Sequence, residues 1–595
     1  MKKLFLGAVL APFAAVANDA VMLDPVVVTA TGTPVPVSES LANVIVVDRA
    51  AIERSQADDV LDILRFEAGL DIGRTGGPGQ QASVFIRGGE SNHTLVLVDG
   101  VRVNPSTIGA AALQNIAPEM IERIEIVKGP RATLYGSDAI GGVINIITRR
   151  AEVSNADVKL RAGTDQTREI SAQAGYADRE KNLSLQLQKL ETDGFPPCAS
   201  GTLDRGYDRL SVNARGSVRI GSAELGARLW NAQGNVEYVD FCGANTPLDQ
   251  DYQNQTMAVD LKLKLAQGWD STLTLSRTED DITQNQPNFL GELDNARTIR
   301  PTLDWRNVLQ LGQANRVSFG LSAAREDVTA RSFGTVIEEQ RDLYSGFVQN
   351  ELTLGRHSLV AGASYADYED FGGQLNGTLE YGLRLTDSTR LIASAATGFR
   401  APDFTDRFGF GGNPDLDPEE ARNYELGLRQ QLGKGHSADL RVFQSDVDDL
   451  IALVCNPGCL NVNIDEYRNR GAELAWNYRS STWIAGLSGI LQKPENRATG
   501  DLLARRAKRS VSGHLVRRFG PHSLGLDVLG SGEREEGIAP PLGGYALVNL
   551  TGGLQLDPAL RLEARIENLL DKEYQTARGY NQQGAAFFVS LRYAP

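Results

Sequence analysis

The chain has 595 residues, 41% of them apolar, and a formal net charge of −15 from 60 Lys and Arg against 75 Asp and Glu. The apolar content excludes a disordered chain, and the acidic balance argues against nucleic-acid binding, which needs an excess of Lys and Arg. No 20-residue apolar stretch follows the N-terminus, so helical membrane spans are excluded, whereas a membrane barrel stays possible because its strands are apolar on one face only.

The N-terminus has the form of a bacterial secretory signal, which we assign to residues 1–17. Two Lys residues precede an apolar run too short to span a membrane, and the sequence AVA at 15–17 offers a cleavage site between small residues. A buried N-terminal helix is the weaker interpretation. Residues 18–40 are polar and contain Pro, apart from the apolar run Val26-Val27-Val28, and they predict a flexible periplasmic arm.

Residues 41–150 predict a compact α+β unit. LANVIVVD indicates a strand, and the apolar spacing from Asp58 to Gly69, with its Gly stop, predicts a short helix. ASVFIRG, TLVLVDG, IERIEIVKG and GGVINIITRR predict further short strands separated by Gly-rich turns.

Residues 151–595 have a different pattern, in which apolar and polar residues alternate. Leu183, Leu185 and Leu187 alternate with polar residues, as do many later segments, and tight turns alternate with long polar connections. Dividing roughly 440 residues by about 20 per strand and connection predicts about 22 strands. We therefore predict an all-β membrane barrel of about 22 antiparallel strands, with the preceding α+β unit as a plug domain inside its lumen. A soluble β-sandwich or propeller is the alternative.

Four cysteines in an exported chain are expected to form disulfides, and four allow three pairings. Cys455 and Cys459 flank a tight Asn-Pro-Gly turn that one bridge could close, which would leave Cys198 to pair with Cys242. Metal binding is the weaker interpretation, because no His flanks these cysteines.

Several motifs resemble those of TonB-dependent outer-membrane receptors over nearly the whole chain. They are IRG at 86–88, LVDGVRVN at 97–104, GPRATLYGSDAIGGVINIIT at 129–148, FRAP at 399–402, NPDL at 413–416 and IENLLDKEY at 566–574. The apolar heptad before them resembles a TonB box, which can add as a strand to the edge of a partner's sheet. Its residues are Asp24, Pro25, Val26, Val27, Val28, Thr29 and Ala30.

Within that family, the chain most resembles the receptors for vitamin B12 (cobalamin). GGPGQQASVFIRG at 76–88, FQSDVDDLI at 443–451 and LLARRAKR at 502–509 carry this likeness. It implies TonB-dependent active transport of cobalamin across the bacterial outer membrane by a monomeric, multi-pass barrel that contacts lipid and lipopolysaccharide, binds no nucleic acid and is not an enzyme. The TonB protein of the inner-membrane energy-transducing complex would be the partner.

The resemblance also implies where the ligand binds, because amide and hydroxyl groups at the plug apices suit the neutral, amide-rich rim of cobalamin. For each residue, an ordinary polar loop position is the alternative. The candidates are Thr75, Pro78, Gln80 and Gln81 in one loop, Asn104 and Thr107 in the next, and Arg505 or Arg506 on the barrel.

Two further groups follow from the family. Arg87 and Arg131 in plug motifs and Glu425 and Glu473 on barrel strands would form a charge cluster between plug and wall, with local pairing on a solvated lumen as the alternative. Clustered aspartates in the extracellular loops would bind a structural calcium ion. These are Asp193, Asp204, Asp208, Asp240, Asp249 and Asp251. Their spacing departs from the family's, and we expect a Cys198–Cys242 disulfide to replace part of the calcium's role in ordering these loops.

Other functions fit less well. A ferric-siderophore receptor is the strongest alternative, because composition does not exclude a pocket for an anionic ligand. A haem receptor would want a His between the FRAP and NPDL motifs, and residues 403–412 contain none. The plug and the arm argue against a passive porin. For an enzyme, the sequence lacks a nucleophile elbow, a Walker loop and a metalloprotease helix.

Overall fold

The computed structural model describes residues 25–595 except 240, 241, 243–247, 289, 333, 456 and 538. The predicted signal segment, the start of the predicted arm with Asp24, and Asp240 therefore lie outside the described residues. In the part of the chain that is described, no helix is long and apolar enough to cross a membrane.

Most of the chain forms one closed antiparallel barrel of 22 strands, counted over the described residues, in which the last strand pairs with the first. This confirms the predicted fold class. The strands are β10 Asn155–Gly163, β11 Arg168–Ala177, β12 Lys181–Thr192, β13 Tyr207–Ile220, β14 Ala223–Tyr238, β15 Leu248–Ala266, β16 Trp269–Gln284, β17 Asn295–Gln310, β18 Asn315–Ser332, β19 Thr335–Leu354, β20 His357–Tyr368, β21 Gly372–Arg384, β22 Thr389–Arg400, β23 Glu419–Gly433, β24 His436–Cys455, β25 Cys459–Arg479, β26 Trp483–Asn496, β27 Arg509–Phe519, β28 His522–Ser531, β31 Tyr545–Gln555, β32 Leu560–Glu567 and β33 Ala586–Tyr593.

Alternation along each strand separates an apolar outer face from a polar inner one. In β12, Leu183, Leu185 and Leu187 are 61%, 42% and 42% exposed, while Ser184 and Gln186 between them are 2% and 3% exposed. The apolar band faces outward and the polar residues meet the plug, as expected for a barrel with an apolar exterior and a filled, polar interior.

The two ends of the barrel differ. One end carries short turns, such as residues 221–222 and 434–435, and is called the turn end below. The other carries the longer connections and is called the loop end. The loop end also holds α4 Phe404–Phe408 and the small hairpin of β29 Arg534–Glu536 and β30 Ala539–Leu542.

Both predicted disulfides are present at the loop end. Cys198 pairs with Cys242 across 44 residues, and Cys455 pairs with Cys459 across four. The first bridge joins the connection before β13 to the connection before β15, whereas the second closes the tip of the β24–β25 hairpin.

The plug fills the lumen with a five-stranded mixed sheet in the order β3-β8-β9-β6-β7 and a separate β4–β5 hairpin. Its strands are β3 Asn43–Asp48, β4 Leu70–Arg74, β5 Ala82–Ile86, β6 Thr94–Val98, β7 Val101–Arg102, β8 Ile121–Lys128 and β9 Gly142–Thr148. Its helices are α1 Arg49–Ser55, α2 Val60–Leu64 and α3 Ala132–Tyr135, with single 3-10 turns at Ser91–His93, Leu113–Asn115 and Pro118–Met120.

A continuous apolar core holds the sheet against the two N-terminal helices. Val60, Leu61 and Leu64 of α2 are at most 1% exposed and pack with Ile124 and Ile146 of the sheet. The Asp59 side chain accepts a hydrogen bond from the Asp62 N–H (3.0 Å) and so caps α2. The helix is shorter than the predicted segment 58–69, because the chain leaves it at Arg65 to reach β4.

The arm is docked, which corrects the prediction of a flexible segment for the part that is described. β1 Val26–Val27 pairs with β2 Val35–Pro36, and Val27 and Ala30 are buried with Ala42 and Val127. Val27, in the middle of the apolar run that interrupts this polar segment, is therefore buried inside the barrel.

Candidate functional site

The first plug loop at the loop end, residues 75–81, is braced from within and partly covered from outside. Thr75 donates from both its backbone N–H and its hydroxyl to the Gln81 carbonyl, each at 3.1 Å. The Gln80 amide donates to the Glu237 carbonyl of the wall (2.6 Å) and is 5% exposed. Thr75 and Pro78 are half-buried and Gln81 is exposed, so of the four predicted contacts here only Gln80 is enclosed.

A connection of the wall lies directly over this loop. A Cβ atom added at Gly77 would lie 3.0 Å from the Phe195 ring, and one at Gly76 would lie 2.8 Å from Pro197. The Cys198–Cys242 disulfide anchors this covering segment, residues 193–206, to the next connection along the wall.

In the second plug loop, both residues that were predicted to contact the ligand are buried. The Asn104 amide is 2% exposed, accepts from the Val96 N–H (2.8 Å) and donates to the Thr94 and Gly109 carbonyls (3.0 and 2.7 Å). Its hydrogen-bonding groups are used to shape the loop, which corrects its assignment as a ligand contact.

Thr107 is also buried, at 5% exposure, and its carbonyl accepts from the Thr405 N–H of α4 (3.0 Å). The exposed residue of this loop is Ile108, at 46%. Ile108 was not predicted from the sequence, because only polar groups were considered as ligand contacts. An apolar residue between Thr107 and Gly109 in a loop is itself an indication of a contact surface.

The two barrel arginines have different roles. Arg506 is buried over the Phe85 ring (4.1 Å), pairs with Glu90 (2.6 Å) and donates to the Gly88 and Gly89 carbonyls. It fastens the wall to the plug, which corrects its assignment as a ligand contact. The Arg505 side chain is 42% exposed and lies 3.7 Å from Glu536, so it stays accessible at the loop end.

Three of the four residues of the predicted charge cluster meet between plug and wall. Arg87 lies 2.6 Å from Glu425 and 3.0 Å from Glu473, and the partners are buried. Burial alone would lower the pKa of Arg87, but the Glu473 and Glu425 carboxylates raise it, so the guanidinium stays charged. Lys128 and Arg441, which sequence reasoning missed, complete the cluster at 3.2 Å from Glu473 and 2.8 Å from Glu425.

Arg131 lies outside this cluster, which corrects its predicted membership. It precedes α3 and pairs with Glu380 of β21 at 2.7 Å. Because α3 packs on the wall around β20 to β22, Arg131 meets a different carboxylate although it belongs to a similar plug motif.

A second buried contact near the loop end involves a histidine that was not assigned a role. His93 Nε2 lies 2.6 Å from Glu419, and His93 Nδ1 accepts from the Glu90 N–H (3.1 Å). Glu419 also accepts from Arg400 of the FRAP motif (2.8 Å). Arg400 of the FRAP motif therefore binds the same wall carboxylate that contacts His93 of the plug.

The TonB-box-like residues occupy a groove between plug and wall near the turn end. The Val28 N–H, the Thr29 N–H and the Thr29 hydroxyl all donate to one Glu125 oxygen (2.9, 2.9 and 2.6 Å). Tyr135 donates to the Thr29 carbonyl (3.1 Å), and Asn145 donates to its hydroxyl (3.0 Å). Val26 is 45% exposed, so the segment presents one accessible end.

The calcium site stays a prediction, because Asp240, one of its six residues, lies outside the described residues. In the part of the chain that the structure describes, no group of three or more His, Cys, Asp or Glu residues could hold a metal. Asp208, Asp249 and Asp251 instead surround Asn235, whose backbone and side-chain N–H groups donate to them at 2.8–2.9 Å. Asp193 and Asp204 are exposed elsewhere in the covering segment.

A closed barrel filled by a plug, with buried charges pairing the two and a peptide segment docked at one end, defines a gated transporter. The lumen is obstructed, so passage requires that the plug or the arm move relative to the wall.

Comparison with known proteins identifies the class more narrowly. The family profile "TonB dependent receptor-like, beta-barrel" matches residues 194–569, and the profile "TonB-dependent Receptor Plug Domain" matches residues 36–143. The chain belongs to the TonB-dependent receptor family of outer-membrane transporters.

Relatives of similar length are known. A protein named vitamin B12 transporter BtuB from Vibrio vulnificus is 29% identical over 96% of this chain and 95% of its own length. One of the same name from Photobacterium profundum is 28% identical over the full length of both.

Solved structures show the same fold. The siderophore receptor PirA from Acinetobacter baumannii superimposes with a TM-score of 0.81 at 16% identity, covering 93% of this chain and 98% of its own. A ferric enterobactin receptor from Pseudomonas aeruginosa gives 0.84 at 18%, covering 96% and 100%.

Proposed function

We propose that this chain transports vitamin B12 (cobalamin) across the outer membrane, using energy delivered through TonB. The observation that carries the proposal is the match to proteins named vitamin B12 transporter over 95–100% of both chains. The ferric-siderophore receptors share the fold at 16–18% identity, which supports the architecture and leaves the ligand open.

The accessible groups at the loop end suit a large neutral ligand with many amides. Gln81, Pro78 and Arg505 reach solvent beside the apolar Ile108. Amide and guanidinium groups donate to carbonyl and phosphate oxygens, while the apolar side chain contacts a ring face. We therefore assign ligand contact to these residues rather than to Asn104 or Arg506.

Energy would enter at the turn end. Val26 is exposed beside a two-residue strand pair, so a partner's sheet edge could replace β2 and extend along residues 26–30. A pull on this segment is transmitted to Glu125 of β8 and through it to the central plug sheet. Breaking the three bonds to one buried carboxylate costs about 1.5–3 kcal/mol each, so docking is firm but reversible.

Equilibrium binding of cyanocobalamin to the purified protein tests the ligand. We expect sub-micromolar binding, and repeating the measurement with a divalent-cation chelator tests the predicted calcium ion. Ferric enterobactin serves as the competing ligand. Binding of the ferric chelate without binding of cyanocobalamin would overturn the proposal. Loss of cyanocobalamin binding in the presence of the chelator would support the predicted calcium ion.

The role of the arm is tested by Val28→Pro, which removes the Val28 N–H and so one of the three bonds to Glu125 and a strand hydrogen bond to any added partner. We expect ligand binding to persist and energised uptake to fall to the level of cells that lack TonB. Val28→Ala keeps the N–H and should retain uptake. Equal uptake by the two variants would contradict the assignment of this segment.

A further inference from the structure

The plug and the wall are separated by a gap on one side of the barrel. A cavity of about 100 Å³ lies between α3 with the β6–β7 turn and wall strands β16–β20, and we call it the seam cavity. Its wall carries small hydroxyl side chains, among them Ser276, Thr278, Ser322, Ser345 and Ser364, and also charged side chains of β17, which are Arg300, Asp304 and Arg306. The plug contributes Arg102 to the lining. A second cavity, facing β27 to β31, holds only about 30 Å³ and is lined by charged plug residues that include Asp62, Arg65 and Arg74.

Charge pairing between plug and wall avoids the side of the larger cavity. Among the described residues, the ion pairs between residues 41–150 and the barrel involve β10, β13, β21, β23, β25, β29, β32, β33 and the connection before β27. Within the part of the chain that is described, none of these ion pairs involves β14–β20, which is the longest run of neighbouring strands without one.

The contacts on that side are neutral hydrogen bonds and the Arg306 guanidinium, which lies over the Tyr135 ring at 5.6 Å. The Thr278 hydroxyl donates to the Arg102 carbonyl (2.8 Å), the Ser364 hydroxyl to the Ala132 carbonyl (3.3 Å), and Asn115 to Asn254 (2.8 Å). Separating neutral groups that water can replace costs less than separating buried charges. Because no ion pair joins the plug to strands β14–β20 among the described residues, the plug is held less firmly on this side than at the clusters around Glu425 and Glu473.

The docked arm closes this weak side at the turn end. A narrower gap lined by Thr133 and Leu134 continues from the seam cavity to Ala30 and Gln349, and it has no room for water. Gln349 of β19 donates to the Thr31 carbonyl (3.1 Å), and Tyr135, which lines the seam cavity, donates to the Thr29 carbonyl. Arm residues 29–33 therefore lie across the exit below the cavity.

We propose that the transported ligand passes between α3 and wall strands β16–β20, and that arm residues 29–33 close the periplasmic end of this route. The proposal rests on the transport function proposed above and specifies its path. The cavity is well below the roughly 300–1,000 Å³ of ordinary ligand sites, so α3 must also move away from the wall during passage. Withdrawal of the arm removes the contacts at Thr29 and Thr31 first.

Cysteine labelling of the purified full-length protein tests the route without any transported ligand. The four native cysteines are paired, so an introduced thiol reports alone. Ser345→Cys reports on the seam cavity, and Ser510→Cys, also half-buried and lining the smaller cavity, is the matched control. Each is combined with Thr29→Asp, which places a carboxylate against Glu125 and expels the arm, or with Thr29→Ser, which keeps the hydroxyl.

We expect Thr29→Asp to speed maleimide labelling of Ser345→Cys by about tenfold or more relative to Thr29→Ser, with no change at Ser510→Cys. An equal increase at both positions, or no increase at Ser345→Cys, would overturn the route.

A second measurement uses uptake per bound ligand in cells. Ser345→Trp should abolish uptake while cyanocobalamin binding at the loop end persists, and Ser510→Trp should retain both. The reverse order of the two variants would also overturn the route. Absence of cyanocobalamin binding by the parent protein would refute the proposed substrate alone, because the labelling experiment does not depend on it.

Discussion

Asn104 and Gln81 show how burial separates polar loop residues with the same chemistry. Both carry an amide at the loop end of the plug, but Asn104 is enclosed and fully hydrogen-bonded, whereas Gln81 is exposed. A buried amide with satisfied donors and acceptors shapes the backbone, and an exposed one is available to a ligand. The same distinction separates Arg506 from Arg505.

This distinction predicts opposite effects for two alanine variants. Asn104→Ala leaves the Val96 N–H without its acceptor and should lower the free energy of unfolding of the plug by about 1–3 kcal/mol. Gln81→Ala should leave stability unchanged and weaken cyanocobalamin binding by up to about tenfold, the worth of one hydrogen bond. Denaturant titration and equilibrium binding of both variants check this, and a stability loss in Gln81→Ala would contradict it.

Glu67 predicts a pH dependence of plug stability. Burial raises its pKa to about 7, although Lys128 opposes the shift. When the pKa of a carboxyl group is higher in the folded state than in the unfolded state, the folded state binds more protons. The free energy of unfolding then falls as the pH rises from the unfolded pKa to the folded pKa. Stability of the plug should therefore fall between about pH 4.5 and 7.

Glu67→Gln, which cannot ionise, should remove that part of the fall. Comparison of denaturant midpoints for the two proteins at pH 5 and pH 7 measures the difference. Identical pH profiles for the parent and the variant would contradict the raised pKa.

At the scale of elements, the arm and the covering segment show how short pieces are held in place by distant ones. The arm has only a two-residue strand pair of its own, and Glu125, Asn145 and Gln349 supply the rest of its binding. The covering segment 193–206 is held over the first plug loop by one disulfide and by hydrogen bonds with residues 579–581, such as the Asn581 N–H to the Pro197 carbonyl (2.7 Å).

Release of the arm is predicted for Glu125→Gln. An uncharged acceptor weakens the three hydrogen bonds from Val28 and Thr29, so a reporter at Ala30→Cys should react with maleimide about tenfold faster. Glu122→Gln on the same strand, half-buried, is the control and should leave labelling unchanged. Equal labelling of both variants would show that Glu125 does not hold the arm.

Loosening of the covering segment is predicted for Cys198→Ser with Cys242→Ser. Without the bridge across 44 residues the segment is less ordered over Gly76 and Gly77, so cyanocobalamin affinity should fall several-fold while the barrel still assembles. Cys455→Ser with Cys459→Ser, which opens only a hairpin tip, is the matched control. An equal loss of affinity in both would contradict a specific role for the first disulfide.

At the scale of the whole molecule, the interface between plug and wall is asymmetric. Buried ion pairs elsewhere on the circumference hold the plug in register, whereas strands β14–β20, which form no ion pair with the plug among the described residues, leave one side where separation is easier. A buried ion pair gives little net stability but is costly to break from one partner only. Such an interface stays closed at rest and still permits a directed opening.

Removal of one partner from the main cluster tests this interface. Arg87→Ala leaves Glu425 and Glu473 buried beside fewer cations and should destabilise the docked plug by about 3–5 kcal/mol, seen as faster proteolysis of the plug with an intact barrel. Adding Glu473→Gln to Arg87→Ala should recover part of the loss. Additive effects of the two changes would contradict direct pairing.

Period-two alternation, visible in Leu183 to Leu187, predicted a barrel together with the alternation of tight turns and long connections, because a strand between lipid and a polar interior is apolar on one face only. The cysteine spacing likewise indicated both disulfides. The sequence alone did not determine that the arm is docked, that Arg131 pairs with Glu380, or that Asn104 is enclosed. Those outcomes depend on which wall strand faces which plug segment, and only the tertiary structure decides that, because it joins residues separated by hundreds of positions in the chain.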